Sequence, residues 1–314
     1  MYLYVLENYK GPKSRFTCPQ CKGRKCFTKF VHVETGEYAG EEYGRCDKER
    51  KCGYLLVPKS NILDLEHLSS HIVNQKKQEQ PPSLIPIEIL NRSLAHYNCN
   101  NFATYLESLF GQQAVNLLLE RYYIGTSKHW QGANIFWQID INGNVRTGKI
   151  MLYDARTGKR VKDPFNHITW VHSILRIPNF HLKQCLFGAH LLNYDAAKTV
   201  AIVESEKTAI ISSVFHPEFI WLACGSLSNL SGRLLEIVKD RKIVLFPDAG
   251  CYEIWKENVR KISSKLLITV SEILEHFATE EQKKEGYDLA DFLVVRDPQT
   301  GLALKNGYPA LWDF

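Results

Sequence analysis

Apolar side chains recur at three- and four-residue intervals in NFATYLESLFGQQAVNLLLERYYIG, residues 101–125, the spacing of a helix that buries one stripe. Residues 84–125 as a whole read as two helices closing at Gly125. The period then shortens. In NIFWQIDINGNVRTGKIMLY, residues 134–153, aromatic and β-branched residues flank Asn142-Gly143, which predicts a hairpin. A second turn is expected at DARTGKR, 154–160. From residue 199 the pattern changes again: short apolar runs TVAIVE, FIWLACG, KIVLFPD and KLLITV alternate with helix-like EKTAIISSVF, NLSGRLLEIVKD and CYEIWKENVRKIS. Strand–helix alternation predicts a parallel α/β sheet, whose ligands bind beyond the carboxyl ends of its strands.

Ahead of these elements, SSHIVNQKKQEQPPS, residues 69–83, is polar and ends in paired prolines. Too little apolar surface is present there to fold, so it is expected to be a linker. The organisation predicted is a small N-terminal domain over 1–68, the linker 69–83, an α+β basic subdomain over 84–195 and the α/β sheet over 196–314. No basic leader, cleavage site or membrane-length apolar run is found, so a cytoplasmic protein away from membranes is expected.

Charge refines this picture through its distribution, since the formal net value is only +5. Residues 8–52 carry 11 Lys/Arg against 6 Asp/Glu, residues 121–183 carry 10 against 3, and residues 266–314 reverse to 4 against 9. Two basic regions able to meet a phosphate backbone are one reading, and an ordinary solvated surface is the other.

Five of the nine cysteines lie between residues 18 and 54. In a reducing compartment such spacing favours metal ligands over disulfides. Cys18-x2-Cys21 and Cys46-x5-Cys52 supply four thiolates for a tetrahedral zinc, with Gly53 giving the second knuckle its backbone freedom. Redox thiols are the alternative, and Cys26 is either a substitute ligand or a buried bystander. Lys22, Arg24, Lys25, Lys29, Arg45, Lys48, Arg50 and Lys51 keep this module basic. Phe27, Phe30 and Tyr43 either stack bases of a single strand or fill the small core around the metal. The same two readings apply to Trp130, Phe136, Trp137 and Trp170.

In the α/β region Glu204 follows one buried strand and Asp248 another. If the strands are neighbours, about 4.8 Å apart, the two carboxylates can share a hard divalent cation, Mg²⁺ or Mn²⁺, with water and substrate phosphates completing its shell. Capping of helix N-termini is the competing role. Asp288 and Asp291, three residues apart in EGYDLADFLVV, either complete the acidic cluster or, for Asp288, cap a helix.

VESEKTA, CGS and VLFPDAG together resemble the TOPRIM domain of bacterial primases, topoisomerases and related nucleases. IFWQIDINGNVRTGKI is similar to the basic subdomain that precedes TOPRIM in bacterial primases, and CLFGAHLL to the link between them. The order of ribbon, linker, basic subdomain and TOPRIM resembles primase-like zinc-ribbon proteins of Bacteroidetes and mobile elements. Three departures stand out. Gly250 occupies the place of the second Asp of Asp-x-Asp, Thr208 the place of an acid four residues after Glu204, and the zinc ligands are four cysteines in place of Cys-His-Cys-Cys.

The resemblance implies template-directed primer synthesis on single-stranded DNA from nucleoside triphosphates, beside a replicative helicase. Glu204 and Asp248 would be catalytic, with Glu206, Asp288 or Asp291 as further metal ligands. Arg146, Lys149, Lys162 and Lys207 would meet triphosphate or template, and Arg45 and Lys48 the template at the ribbon. The alternatives are a TOPRIM nuclease, or a degenerate TOPRIM protein that binds single strands without chemistry.

Overall fold

The computed structural model describes residues 3–8, 11–48, 52–58, 80–226, 229–262 and 266–294. Arg50, Lys51, most of the predicted linker and the last twenty positions of the sequence, 295–314, lie outside the described residues. Contacts divide the chain into two compact units, 1–79 and 80–314.

The first unit is an antiparallel sheet in the order β1-β2-β3-β4, formed by Tyr4–Leu6, Phe27–His32, Gly44–Cys46 and Leu55–Leu56. Its core consists of Cys18, Cys26, Phe27 and Cys46, with Phe16, Cys52 and Tyr54 packed against it. Phe27 and Phe30 are buried and Tyr43 is half-buried. Of the two roles open to these rings, core filling is the one the structure gives to both phenylalanines. Lys29 is buried as well: its ammonium meets Glu41 at 2.5 Å and lies 4.1 Å from the Phe16 ring centroid, so it adds little to a basic face.

The second unit opens with α1 (Ile87–Ser93) and α2 (Asn101–Arg121). Asn100 caps α2 by accepting hydrogen bonds from the Phe102 and Ala103 amides, and Gly111, at φ 76°, breaks the helix midway. An antiparallel sheet follows, β5-β6-β7-β8, from Ile124–Thr126, Asn134–Ile139, Val145–Met151 and Ile168–Trp170. The predicted hairpin is its centre. Gly143 takes φ 79°, and Asp140 accepts from the amides of Asn142 and Asn144, so the turn is held by its own side chain. Strand β6 is buried throughout because both faces are covered: Phe136 enters one hydrophobic cluster, Ile135, Trp137 and Ile139 another.

After α3 (Val171–Leu175) comes the parallel sheet. Its strands are β9 (Val200–Val203), β10 (Ile220–Ala223), β11 (Ile243–Leu245) and β12 (Ile268–Val270), in the order β10-β9-β11-β12. The helices between and after them are α4 (Glu206–Phe215), α5 (Gly232–Leu235), α6 (Tyr252–Lys261), α7 (Ile273–Phe277), α8 (Glu280–Glu285) and α9 (Leu289–Leu293). The sequence separates subdomains at 195. In the structure one hydrophobic cluster runs across that point, from Phe102 through Met151 and Val200 to Leu293. The link CLFGAHLL belongs to it too: Phe187 pairs with Ala223 at the edge of β10.

Candidate zinc centre and acidic strand ends

The four predicted zinc ligands converge. Their sulfur atoms all lie within 4.8 Å of one another, with Cys18 and Cys52 at 3.7 Å and Cys21 and Cys46 at 3.9 Å. A tetrahedron with Zn–S bonds of about 2.3 Å has S···S edges of about 3.8 Å, so the donor set fits structural zinc. Two tight turns produce it. The Lys22 amide donates to the Cys18 carbonyl, and the Cys52 and Gly53 amides donate to that of Lys48, with Gly53 at φ 63° as its spacing predicted. The backbone N–H of Gly23 draws the Cys21 thiol down to about 7, toward the thiolate a metal requires. Cys46 is instead pushed up by burial.

Cys26 lies beside the set. Its sulfur is 3.8 Å from that of Cys46 but donates to the Gly23 carbonyl. Cys26→Ser is therefore expected to retain one zinc per chain, measured by metal analysis after dialysis; loss of the metal would make Cys26 a ligand. Arg45 is half-buried on β3, and Lys48 is exposed, its ammonium close to Gly23.

The second group of residues is set by sheet topology. β9 and β11 are hydrogen-bonded parallel neighbours with Ile202 opposite Leu245. Glu204 stands two residues beyond Ile202 and Asp248 three beyond Leu245, so both leave the same carboxyl edge, on strands about 4.8 Å apart. Neither is the N-cap residue of the following helix: Ser205 caps α4 by accepting from the Thr208 amide, and Cys251 stands at the N-cap of α6. Among the described residues, the cysteines are the one group of three or more Cys, His, Asp or Glu side chains close enough to enclose a metal.

Several other predicted site residues are engaged within the fold. Lys149, on β7, places its ammonium 3.1 Å from both oxygens of Glu206 and 3.4 Å from the Gly225 carbonyl. Both partners are buried. Lys207 meets Asp288 and Asp291, each at 3.3 Å. Burial opposes its charge, but the two carboxylates outweigh burial and raise it above the ordinary lysine value. Asp288 caps α9 in a reciprocal box with Asp291, the capping role left open by the sequence. Arg146 grips Asp140 across the hairpin, with Nη2 at 2.6 Å. Burial would raise Asp140, yet hydrogen bonds from Asn144, Asn142 and Arg146 hold it below the usual carboxylate range. Lys162 is exposed on the loop after the second turn.

Sequence reasoning missed these partnerships. Asp140 and Arg146 lie close on either side of the Asn-Gly turn, the local signal that could have suggested theirs. Nothing local signals that Lys149 would find Glu206, 57 residues away. Glu275 has no such signal either: its carboxylate accepts from the Gly250 amide at 2.6 Å, fixing the loop after Asp248.

Residues 100–249 match a family described as a domain of unknown function, DUF6371, and residues 2–66 match a zinc β-ribbon finger family. No curated protein matches the chain in sequence. Among solved structures, the primase fragment of the bacteriophage T7 primase-helicase protein aligns at 11% identity and TM-score 0.39, covering 87% of this chain and 98% of that one. The Aquifex aeolicus primase, with its zinc-binding and RNA polymerase domains, aligns at 13% and 0.36, covering 92% and 82%. The RNA polymerase domain of Mycobacterium tuberculosis primase aligns at 10% and 0.34, covering 72% and 75%. These are loose likenesses. Among the described residues, no helix is long and apolar enough to cross a membrane.

Proposed function

We propose that this chain is a primase-like nucleic-acid enzyme of the zinc-ribbon and TOPRIM type, making short primers on a single-stranded template from nucleoside triphosphates. The observation that supports this most directly is the parallel pairing of β9 with β11, which delivers Glu204 and Asp248 to one sheet edge. Those two carboxylates would hold Mg²⁺ or Mn²⁺ together with water and the triphosphate. When bound, such an ion supplies Lewis-acid activation of the attacking hydroxyl and charge compensation for the leaving pyrophosphate.

The chain's own residues prepare that edge. Lys149 and Glu206 neutralise each other beneath it, and Lys149 also holds the Gly225 carbonyl in the loop beyond β10. Lys207 anchors α9 through Asp288 and Asp291. These lysines therefore support the site rather than reach outward to phosphate. Arg45, Lys48 and Lys162 remain the candidates for the template backbone.

A second reading follows from Gly250, which brings no carboxylate to the loop after Asp248: a single-strand-binding protein without chemistry. One assay separates the two. Protein, single-stranded template, labelled nucleotides and Mg²⁺ or Mn²⁺ are expected to yield oligonucleotides. Glu204→Ala should lower that yield roughly a thousandfold, since an active-site metal supplies several kcal/mol of transition-state stabilisation. Template binding with no product from the wild type would favour the second reading.

A further inference from the structure

Two loops of the second unit, 127–133 and 160–167, meet through aromatic rings. Trp130 lies 5.1 Å from His167, edge to face, and 6.3 Å from Phe165, centroid to centroid. Phe165 and His167 are stacked at 4.3 Å with an interplanar angle of 23°. Trp130 is anchored on its inner side against the cluster of Ile135, Trp137 and Ile139, and the backbone of 160–167 is tied to Leu152, the residue after β7, by hydrogen bonds from the Val161 amide to the Leu152 carbonyl and from the Leu152 amide to the His167 carbonyl. The rings are thus held from below. Yet Phe165, the outermost, remains 46% exposed.

The rim of this cluster is cationic. Lys128 and Arg160 are exposed on the same two loops. Of the three acids between 121 and 183, Asp140 is turned onto Arg146 and Asp154 onto its own turn, which leaves Asp163 as the acid facing solvent. An aromatic face flanked by Lys128 and Arg160, which outnumber the one exposed acid Asp163, is complementary to unpaired bases on a phosphate chain. It is poorly matched to an apolar protein surface.

We infer that Trp130, Phe165 and His167 form a base-stacking platform for single-stranded nucleic acid, on loops other than those that carry Glu204 and Asp248. The inference rests on the single-strand-binding part of the proposed function and not on its chemistry. The test is fluorescence anisotropy with a labelled oligothymidylate and an abasic strand of equal length. Phe165→Ala is expected to weaken oligothymidylate binding roughly tenfold, the size of one lost base stack, and to leave abasic binding unchanged. Phe165→Leu, which still covers Trp130 but has no π face, should lose as much, while Phe165→Trp should bind like the wild type. The platform is overturned if Phe165→Ala, folded by its tryptophan melting curve, holds oligothymidylate as tightly as the wild type, or if both strands lose affinity equally. If the wild type binds neither strand, single-strand recognition itself fails. Loss of primer synthesis in Glu204→Ala with binding intact leaves the platform standing.

Discussion

Cys46→Ser is expected to abolish zinc binding and unfold the ribbon while leaving residues 80–314 folded. Among the described residues the ribbon's buried apolar side chains are Cys18, Cys26, Phe27, Phe30 and Cys46, far too few to offset the conformational entropy of some sixty residues. Metal binding at structural zinc sites contributes about 10–16 kcal/mol in small fingers, and here it would supply most of the ribbon's stability. A serine oxygen in place of a buried thiolate leaves three good ligands and an incomplete tetrahedron. The measurement is favoured by tryptophan placement: all six lie at or beyond residue 130, so intrinsic fluorescence reports the second unit alone. The expected outcome is zinc content falling from one per chain to near zero and hydrogen exchange across residues 11–56 rising to the unfolded level, with the tryptophan melting curve unmoved. Full zinc and full protection in Cys46→Ser would overturn the assignment of this cluster as the ribbon's organising centre.

The second large effect concerns the ion pair of Lys149 and Glu206. Side-chain exposure is only 10% and 2%, so neither charge is rehydrated when the other is removed. Glu206→Gln should leave the ammonium buried against an amide and the Gly225 carbonyl, at a cost of about 3–5 kcal/mol. For a unit of this size that corresponds to a fall in Tm on the order of 10 °C. Lys149→Met combined with Glu206→Leu removes both charges and restores apolar packing, and is expected to recover most of the loss. Thermal melts of Lys149→Met, Glu206→Leu and the double variant close the cycle. Additive losses, or a single-variant effect below about 1 kcal/mol, would mean that the pair is solvated and not a structural element beneath the strand ends.

Features encoded over a few residues were legible before any coordinates. Cys18-x2-Cys21 and Cys46-x5-Cys52 with Gly53 announced two knuckles, Asn142-Gly143 announced its turn, and the four short apolar runs after residue 199 became β9 to β12. In each case the determining physics is local: a turn that needs positive φ, a thiolate spacing, a period of two or 3.6. The same local rules leave Asp288 open to two roles, since an N-cap and a metal ligand are both served by a carboxylate at the start of an apolar run.

What the tertiary structure alone decided is which charges face each other. Lysines 149 and 207 look from the sequence like groups free to meet phosphate, and become internal once Lys149 on β7 reaches Glu206 in the first turn of α4 and α9 docks against α4. Phe136 and Trp137, adjacent and equally aromatic, are divided between two hydrophobic clusters because β6 is covered on both faces. Glu204 and Asp248 share an edge only because β11 pairs with β9. Each of these outcomes depends on contacts between residues tens of positions apart, where burial energy is decided by the whole packed layer, and no short window of sequence carries that sum.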